Sequence, residues 1–296
     1  MEEVIALVLA AGKGTRMKSK LPKVLHKAGG VPMVGQVLRA VKDAGTKREI
    51  VVVGFGAEAV TAYVGETAET VVQKEQLGTG HAVLQAESLL QGEKGILLVT
   101  CGDTPLVRTE TFRALLDCHK KTQASATVLT ACMPDPAGYG RVIRSADGKV
   151  SKIVEQKDGT SQELAVNEVN AGIYCFELPE LWELLHRIGN NNAQGEYYLT
   201  DIIGMLVADG KTVSAVAAED YRETLGVNSR LQLAQAEKIL RERKLEELMT
   251  EGVTVQDPSN TYVETTVTVG RDTVLYAGTV LEGRTVIGEN CEIGPF

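Results

Sequence analysis

Aromatic residues are scarce, 4% of the 296, and the formal net charge is −8. A nucleic-acid groove needs basic stripes and stacking surfaces, so this balance argues against one. Cysteine is sparse too: Cys101, Cys118, Cys132, Cys175 and Cys291 show no C-x-x-C spacing, and four of the five fall in segments patterned as strand or helix. Reduced, mostly structural thiols are expected. Apolar runs such as Val4 to Ala11 are far too short to span a bilayer, and the start Met-Glu-Glu is acidic where a signal peptide would be basic. A cytoplasmic protein with no membrane partner is therefore expected. What remains, 44% hydrophobic and 24% charged residues, is ordinary globular composition with room for one large or two smaller domains.

Two nucleotide motifs are missing as well. A P-loop needs glycine five residues before its Gly-Lys pair, and Leu7 stands there; a dinucleotide fingerprint needs a third glycine where Met17 stands. Present instead is an apolar stretch from Val4, the turn Leu9-Ala10-Ala11-Gly12-Lys13-Gly14-Thr15-Arg16, and then Leu21-Pro22-Lys23. Lys13, Arg16, Lys18, Lys20, Lys23 and Lys27 follow one another with no acidic residue among them. In an acidic chain that local inversion of sign reads as a buried strand delivering a phosphate-binding loop. Gly12 and Gly14 would let backbone N–H groups approach an anion, and Arg16 and Lys23 would supply fixed charge. A solvated connection between elements is the plainer alternative for so short a motif.

The chain then alternates helical and strand patterns. Apolar positions Met33, Val34, Val37, Leu38, Val41 and Ala44 mark one helical face. Strands are predicted at 50–53, 70–73 and 96–100, with helices at 57–64 and 78–91 between them. Short apolar strands alternating with helices give a doubly wound, mostly parallel sheet whose ligands sit beyond the carboxyl ends of the strands. At those ends lie Gln73-Lys-Glu-Gln-Leu-Gly78-Thr79 and Cys101-Gly102-Asp103. Asp103 suits Mg²⁺, which takes one or two protein oxygens, and equally suits a surface turn before Pro105. Shorter strands at 126–131, 140–144 and 150–154 read as an antiparallel insertion beside the sheet. Around them Gly140, Glu155 and Asn170 could furnish a sugar pocket, or serve as turn residues. Helices are predicted at 179–188 and 197–208 and a strand at 212–217.

A long helix follows at 229–249, opened by a Ser229/Gln232 capping pair and preceded by Asn228. Beyond it aliphatic residues recur every six positions, at Val263, Val269, Leu275, Leu281, Ile287 and Ile293. That period predicts a parallel β-helix of hexapeptide repeats, here with fewer than two full coils. The expected organisation is residues 1–228 as the first domain, 229–249 as a linker helix and 250–296 as the start of the β-helix, which the sequence leaves short of a cap.

In order along the whole chain, the Leu-Ala-Ala-Gly-x-Gly-Thr-Arg loop, Gln-Leu-Gly-Thr-Gly-His-Ala and the hexads resemble the bacterial bifunctional UDP-N-acetylglucosamine pyrophosphorylases/glucosamine-1-phosphate N-acetyltransferases. The resemblance implies a Rossmann-like nucleotide-diphospho-sugar transferase fold followed by a left-handed β-helix. It also implies a uridylyltransferase that makes UDP-N-acetylglucosamine and pyrophosphate from UTP and N-acetylglucosamine 1-phosphate with Mg²⁺. On this implication Leu9, Ala10, Ala11, Gly12, Gln73, Gly78 and Thr79 contact uridine, and Arg16 and Lys23 bind phosphate. Asp103 and Asn228 hold the metal, and Gly140, Glu155 and Asn170 contact the sugar. Cys101 departs from the Ser or Tyr common in the family. The family forms homotrimers and transfers acetyl groups from acetyl-coenzyme A with a histidine of the β-helix. Here His26, His81, His119 and His186 all precede the hexads, so no acetyl transfer is expected.

Three rivals remain in view: a pyrophosphorylase for ADP-glucose or dTDP-glucose, a non-catalytic exchange-factor-like subunit, and a hexapeptide acyltransferase. The retained Arg16, Lys23 and Asp103 weigh against the second, and the histidine positions against the third.

Overall fold

A computed structural model describes residues 3–296. Its first part orders β1 (Val4–Ala10), a small hairpin of β2 (Lys27–Ala28) and β3 (Val31–Pro32), α1 (Met33–Asp43), β4 (Arg48–Val53), α2 (Ala57–Val64), β5 (Glu69–Val72), α3 (Thr79–Leu84), β6 (Gly95–Cys101) and α4 (Thr109–Thr122). Next come β7 (Ala126–Cys132), β8 (Arg141–Arg144), β9 (Val150–Val154), α5 (Ser161–Leu164), β10 (Glu168–Leu178), α6 (Glu180–Leu185), α7 (Asp201–Ala208) and β11 (Val213–Ala217). The chain closes with α8 (Arg230–Thr250) and the two-residue strands β12 (Thr254–Val255), β13 (Tyr262–Val263), β14 (Thr268–Val269), β15 (Val274–Leu275), β16 (Val280–Leu281), β17 (Val286–Ile287) and β18 (Glu292–Ile293).

The main sheet runs β11-β7-β10-β6-β1-β4-β5. Strand β1 pairs in parallel with β4 on one side and β6 on the other, so the connection order reverses at β1 and opens a crevice at its carboxyl end. Side chains of β1 alternate between the faces. Ile5 and Leu7 pack with α3, α6 and α7, while Val4, Ala6, Val8 and Ala10 pack with α1, α2 and α4. Both faces are thus covered by helices, which is why the strand reads as an unbroken apolar run.

Three expectations need correction here. The strand at 126 is no part of a side insertion: β7 lies inside the main sheet, parallel to β11 and antiparallel to β10, and only the β8–β9 hairpin projects from it. Six of its seven residues are buried, the mark of a strand covered on both faces. The helix expected at 78–91 ends at Leu84. Gln85 gives its backbone N–H to Ala82 and spends its side-chain amide on the His81 carbonyl at 2.9 Å, which diverts the acceptor that an α-helix would use. Helix α7 begins at Asp201, not at 197, because the Tyr197 N–H and carbonyl are bonded to Leu77 and Gly80 across the glycine turn.

The hexads stack as three faces, β12-β15-β18, β13-β16 and β14-β17, with Val263, Val269, Leu275 and Leu281 in the interior beside Val255. Strand β12 was not visible in the period. A turn at Pro258–Asn260 lengthens the first coil, so Val255 pairs with Leu275, whereas Val263 pairs with Leu281. Two coils and one further strand are therefore present. The β2–β3 hairpin ties this unit to the first: Thr265 N–H donates to the Gly29 carbonyl (3.1 Å), and Gly29 N–H donates to Glu237 of α8 (2.6 Å).

Candidate active site

The β1/β6 crevice carries a cleft of about 250 Å³ lined by Leu9 to Gly12, Lys23, Gln73, Gly78, Thr79, Cys101 and Asp103. Each arrives for a local reason. The Gly102 N–H donates to the Leu9 carbonyl (2.9 Å) and so lashes the turn after β6 to the end of β1. Gly14 sits at φ 58°, and a Cβ there would come within 2.6 Å of the Lys23 Cβ. Its missing side chain is what lets the Lys23 stem cross the loop into the cleft. Gly78 has φ 116° and presses on the Tyr197 backbone, which brings the turn after β5 over the opposite wall. Gly12 needs no positive φ; a Cβ there would meet nothing within 4 Å, so its role is to leave the cleft wall bare.

Beside the cleft three side chains converge from distant parts of the chain; Lys23 and Asp103 line it, and Asn228 stands behind them, outside its wall. The Lys23 ammonium donates to Asp103 Oδ2 in a short ion pair and to Asn228 Oδ1 at 2.9 Å. Asn228 is held in turn by the start of α8. Ser229 Oγ accepts from the Gln232 N–H at 3.3 Å, and Gln232 Oε1 accepts from the Asn228 N–H at 2.8 Å. The capping pair expected from sequence therefore has its second bond one residue earlier, on Asn228, where it orients the site. The Val227 N–H to Asp103 carbonyl bond (2.8 Å) completes the join.

Two oxygen donors carrying one negative charge thus meet at a point now held by an ammonium. A hard divalent cation fits that donor set, since such ions take few protein oxygens and complete their shell with water and phosphate. Among the described residues no cluster of three or more His, Cys, Asp or Glu forms a metal cage. Burial, followed by the Asp103 carboxylate, pushes the Cys101 thiol up to about 12, so it remains protonated at the cleft wall.

Gly140, Glu155 and Asn170 lie together but outside that wall. The Gly140 carbonyl accepts from Asn170 N–H (2.9 Å), Asn170 Nδ2 donates to Tyr174 Oη (2.6 Å), and Asn170 Oδ1 accepts from Gly172 N–H (3.0 Å). Glu155 accepts from the Thr200 hydroxyl at 3.0 Å, and burial raises its carboxyl above the usual range. Cys101, whose Sγ is 3.8 Å from the Gly172 carbonyl, stands between this patch and the cleft. Arg16 is not brought to the others: it is exposed on the turn Thr15–Met17 and does not line the cleft.

Gln76 and Glu196 also line the cleft and were not anticipated. Gln76 lay inside the Gln73-to-Gly78 motif and was open to detection. Glu196 was not, because it reaches the cleft only through the Tyr197 backbone bonds to Leu77 and Gly80.

A family model described as MobA-like NTP transferase domain matches residues 6–152. The chain is 56% identical over 290 residues to the bifunctional protein GlmU of Geobacillus sp. (strain WCH70), covering 98% of this chain and 63% of that protein. It is 51% identical over 295 residues to the bifunctional protein GlmU of Halalkalibacterium halodurans, covering 100% of this chain and 65% of that protein. The chain therefore spans a little under two thirds of the length of these relatives. Residues 6–152 thus match the MobA-like NTP transferase model, and the chain is similar to the bifunctional GlmU proteins over the part of them that it spans.

Proposed function

We propose that the cleft transfers a uridylyl group from UTP to N-acetylglucosamine 1-phosphate, releasing pyrophosphate and UDP-N-acetylglucosamine, a bacterial cell-wall precursor. The observation that carries this reading is the meeting of Lys23 and Asp103, with Asn228 bonded to the same ammonium, beside a cleft walled by Leu9 to Gly12. The backbone of Leu9 to Gly12 and the turn of Gln73, Gly78 and Thr79 would grip the nucleoside. Gly140, Glu155 and Asn170 would receive the sugar beyond Cys101. Bound to Asp103 and Asn228, Mg²⁺ would lower the charge on the phosphates.

An oxygen of the sugar 1-phosphate forms a bond to the α-phosphorus, and the bond from that phosphorus to the bridging oxygen breaks as pyrophosphate leaves. Two anions must meet, so neutralisation and alignment dominate, and Lys23 turns its ammonium from Asp103 to the phosphates. Arg16, on the solvent side of the same loop, would meet the departing pyrophosphate. A protonated Cys101 offers no competing nucleophile. We take residues 1–228 as the catalytic domain, 229–249 as the linker and 250–296 as the β-helix, with trimers as the assembly.

Pyrophosphate release across a panel of UTP, ATP and dTTP with N-acetylglucosamine 1-phosphate and glucose 1-phosphate tests the reading. The UTP and N-acetylglucosamine 1-phosphate pair is expected to turn over fastest by at least about tenfold, the low end of what a single-group difference in a pocket gives. Faster turnover of ATP or dTTP with glucose 1-phosphate would overturn it.

A further inference from the structure

His81 is absent from the cleft wall, yet it touches a group that is part of it. The Gln73 side chain lies 3% exposed at the end of β5 and lines the cleft. Its Nε2 is 3.2 Å from the Gly78 carbonyl and 3.0 Å from His81 Nδ1. A carbonyl can only accept, so the amide end facing Gly78 must be the NH₂ group. Its second hydrogen then points to His81 Nδ1, which must present a lone pair. The imidazole is thereby held as the tautomer protonated on Nε2. Gln85 presents its amide nitrogen to the other ring nitrogen, 3.2 Å from His81 Nε2, while bonding the His81 carbonyl at 2.9 Å; a neutral ring has one lone pair, and we assign it to the shorter contact, the one from Gln73 to Nδ1 at 3.0 Å. With both amino hydrogens of Gln73 engaged, the amide atom left for a ligand is Oε1, an acceptor.

We propose that His81 is a positioning residue that sets the nucleobase preference of the cleft by locking the Gln73 amide with its oxygen turned to the ligand. The proposal rests on reading the cleft as a nucleotide site. An acceptor at that place pairs with the N3–H of a uracil ring. Cytosine carries a lone pair on N3 and meets Oε1 with repulsion. A Gln73 amide free to turn over would offer NH₂ instead, lose the uracil bond and suit cytosine N3. The Gly78 carbonyl holds one hydrogen by itself, and the His81 lone pair supplies the second restraint that makes one orientation prevail.

His81 also faces a separate cleft of about 240 Å³ between α3 and α6, lined by Leu84, Leu185, Ile188 and Tyr197. On that side the ring borders open space, so that a side chain of different shape at 81 can be accommodated without moving the loop.

The experiment compares initial rates with UTP and CTP, at saturating N-acetylglucosamine 1-phosphate and divalent metal, for the unaltered chain, His81→Leu and His81→Asn. His81→Leu is expected to raise KM for UTP about tenfold with little change in kcat, the loss of one buried hydrogen bond, and to cut the UTP-over-CTP ratio of kcat/KM by a similar factor. His81→Asn can return an acceptor near the Nδ1 position and is expected to restore most of that ratio. Should His81→Leu fail to accumulate as folded protein by circular dichroism, His81→Phe, which likewise offers no acceptor, replaces it. A UTP-over-CTP ratio that stays within about twofold in His81→Leu or His81→Phe, or that falls with no recovery in His81→Asn, overturns the proposal. An unaltered chain with no activity on UTP would instead refute the nucleotide reading itself, so the two failures are told apart.

Discussion

The Asp103→Asn protein should release pyrophosphate from UTP and N-acetylglucosamine 1-phosphate about 100- to 1,000-fold more slowly than the unaltered chain, the range seen when one preorganised electrostatic partner of a transition state is removed. Asparagine has the shape of aspartate, and the main-chain bond from Val227 to the Asp103 carbonyl is untouched, so the turn after β6 keeps its place. What is lost is the single formal charge between the two donor oxygens. Metal affinity should fall with it, and added metal should recover part of the rate. Rates within about threefold of the unaltered chain at every metal concentration would show that Asp103 does not serve the reaction.

Lys23→Ala should cost a similar 100- to 1,000-fold in turnover, because its ammonium is the cation best placed to meet the phosphates. Its effect on metal binding should have the opposite sign. The Lys23 ammonium now occupies the meeting point of Asp103 Oδ2 and Asn228 Oδ1. Deleting it leaves both oxygens open, so in the absence of nucleotide Lys23→Ala should bind Mn²⁺ more tightly and Asp103→Asn more weakly, as read by calorimetry. If both variants weaken Mn²⁺ binding, the lysine is not competing for that position. The physical reason for such competition is economy of charge: Asp103 brings one negative charge, which can satisfy an ammonium or share a dication, but not both at close range.

Much of this was legible in the residues. The loop from Leu9 to Lys23 and the hexads are short-range patterns, fixed by glycine geometry and by a strict period, so each announced itself locally. The alignment of Asp103 with Lys23 followed from the rule that parallel strands deliver ligands at their carboxyl ends. The central place of β10, antiparallel within the sheet, was not legible because strand order is a long-range choice that local apolar runs do not encode. Strand β12 escaped because the turn at Pro258–Asn260 breaks the six-residue period. Glu196 and the shortened α7 had a common cause: the backbone of Tyr197 bonds to the Leu77–Gly80 turn rather than to its own helix. No propensity reveals a carbonyl that is spent elsewhere.

Arg16 shows the reverse failure, a motif residue that local chemistry nominates and the fold leaves in solvent. It shares its loop with Lys23, but Gly14 turns only the lysine stem inward, through the close approach at Lys23 Cβ. The sugar patch lies between these extremes. Gly140, Glu155 and Asn170 do come together, around Tyr174 and Thr200, which no motif had marked.

The most direct test of the central claim is a crystal structure of the chain with UTP and Mg²⁺. The expected density places the uracil against Gln73, Gly78 and Thr79, the triphosphate along Gly12 to Lys23, and the metal on Asp103 Oδ2 and Asn228 Oδ1 with the Lys23 ammonium moved onto a phosphate. A triphosphate bound elsewhere, with Gly12 to Lys23 facing solvent and Lys23 still paired to Asp103, would contradict it.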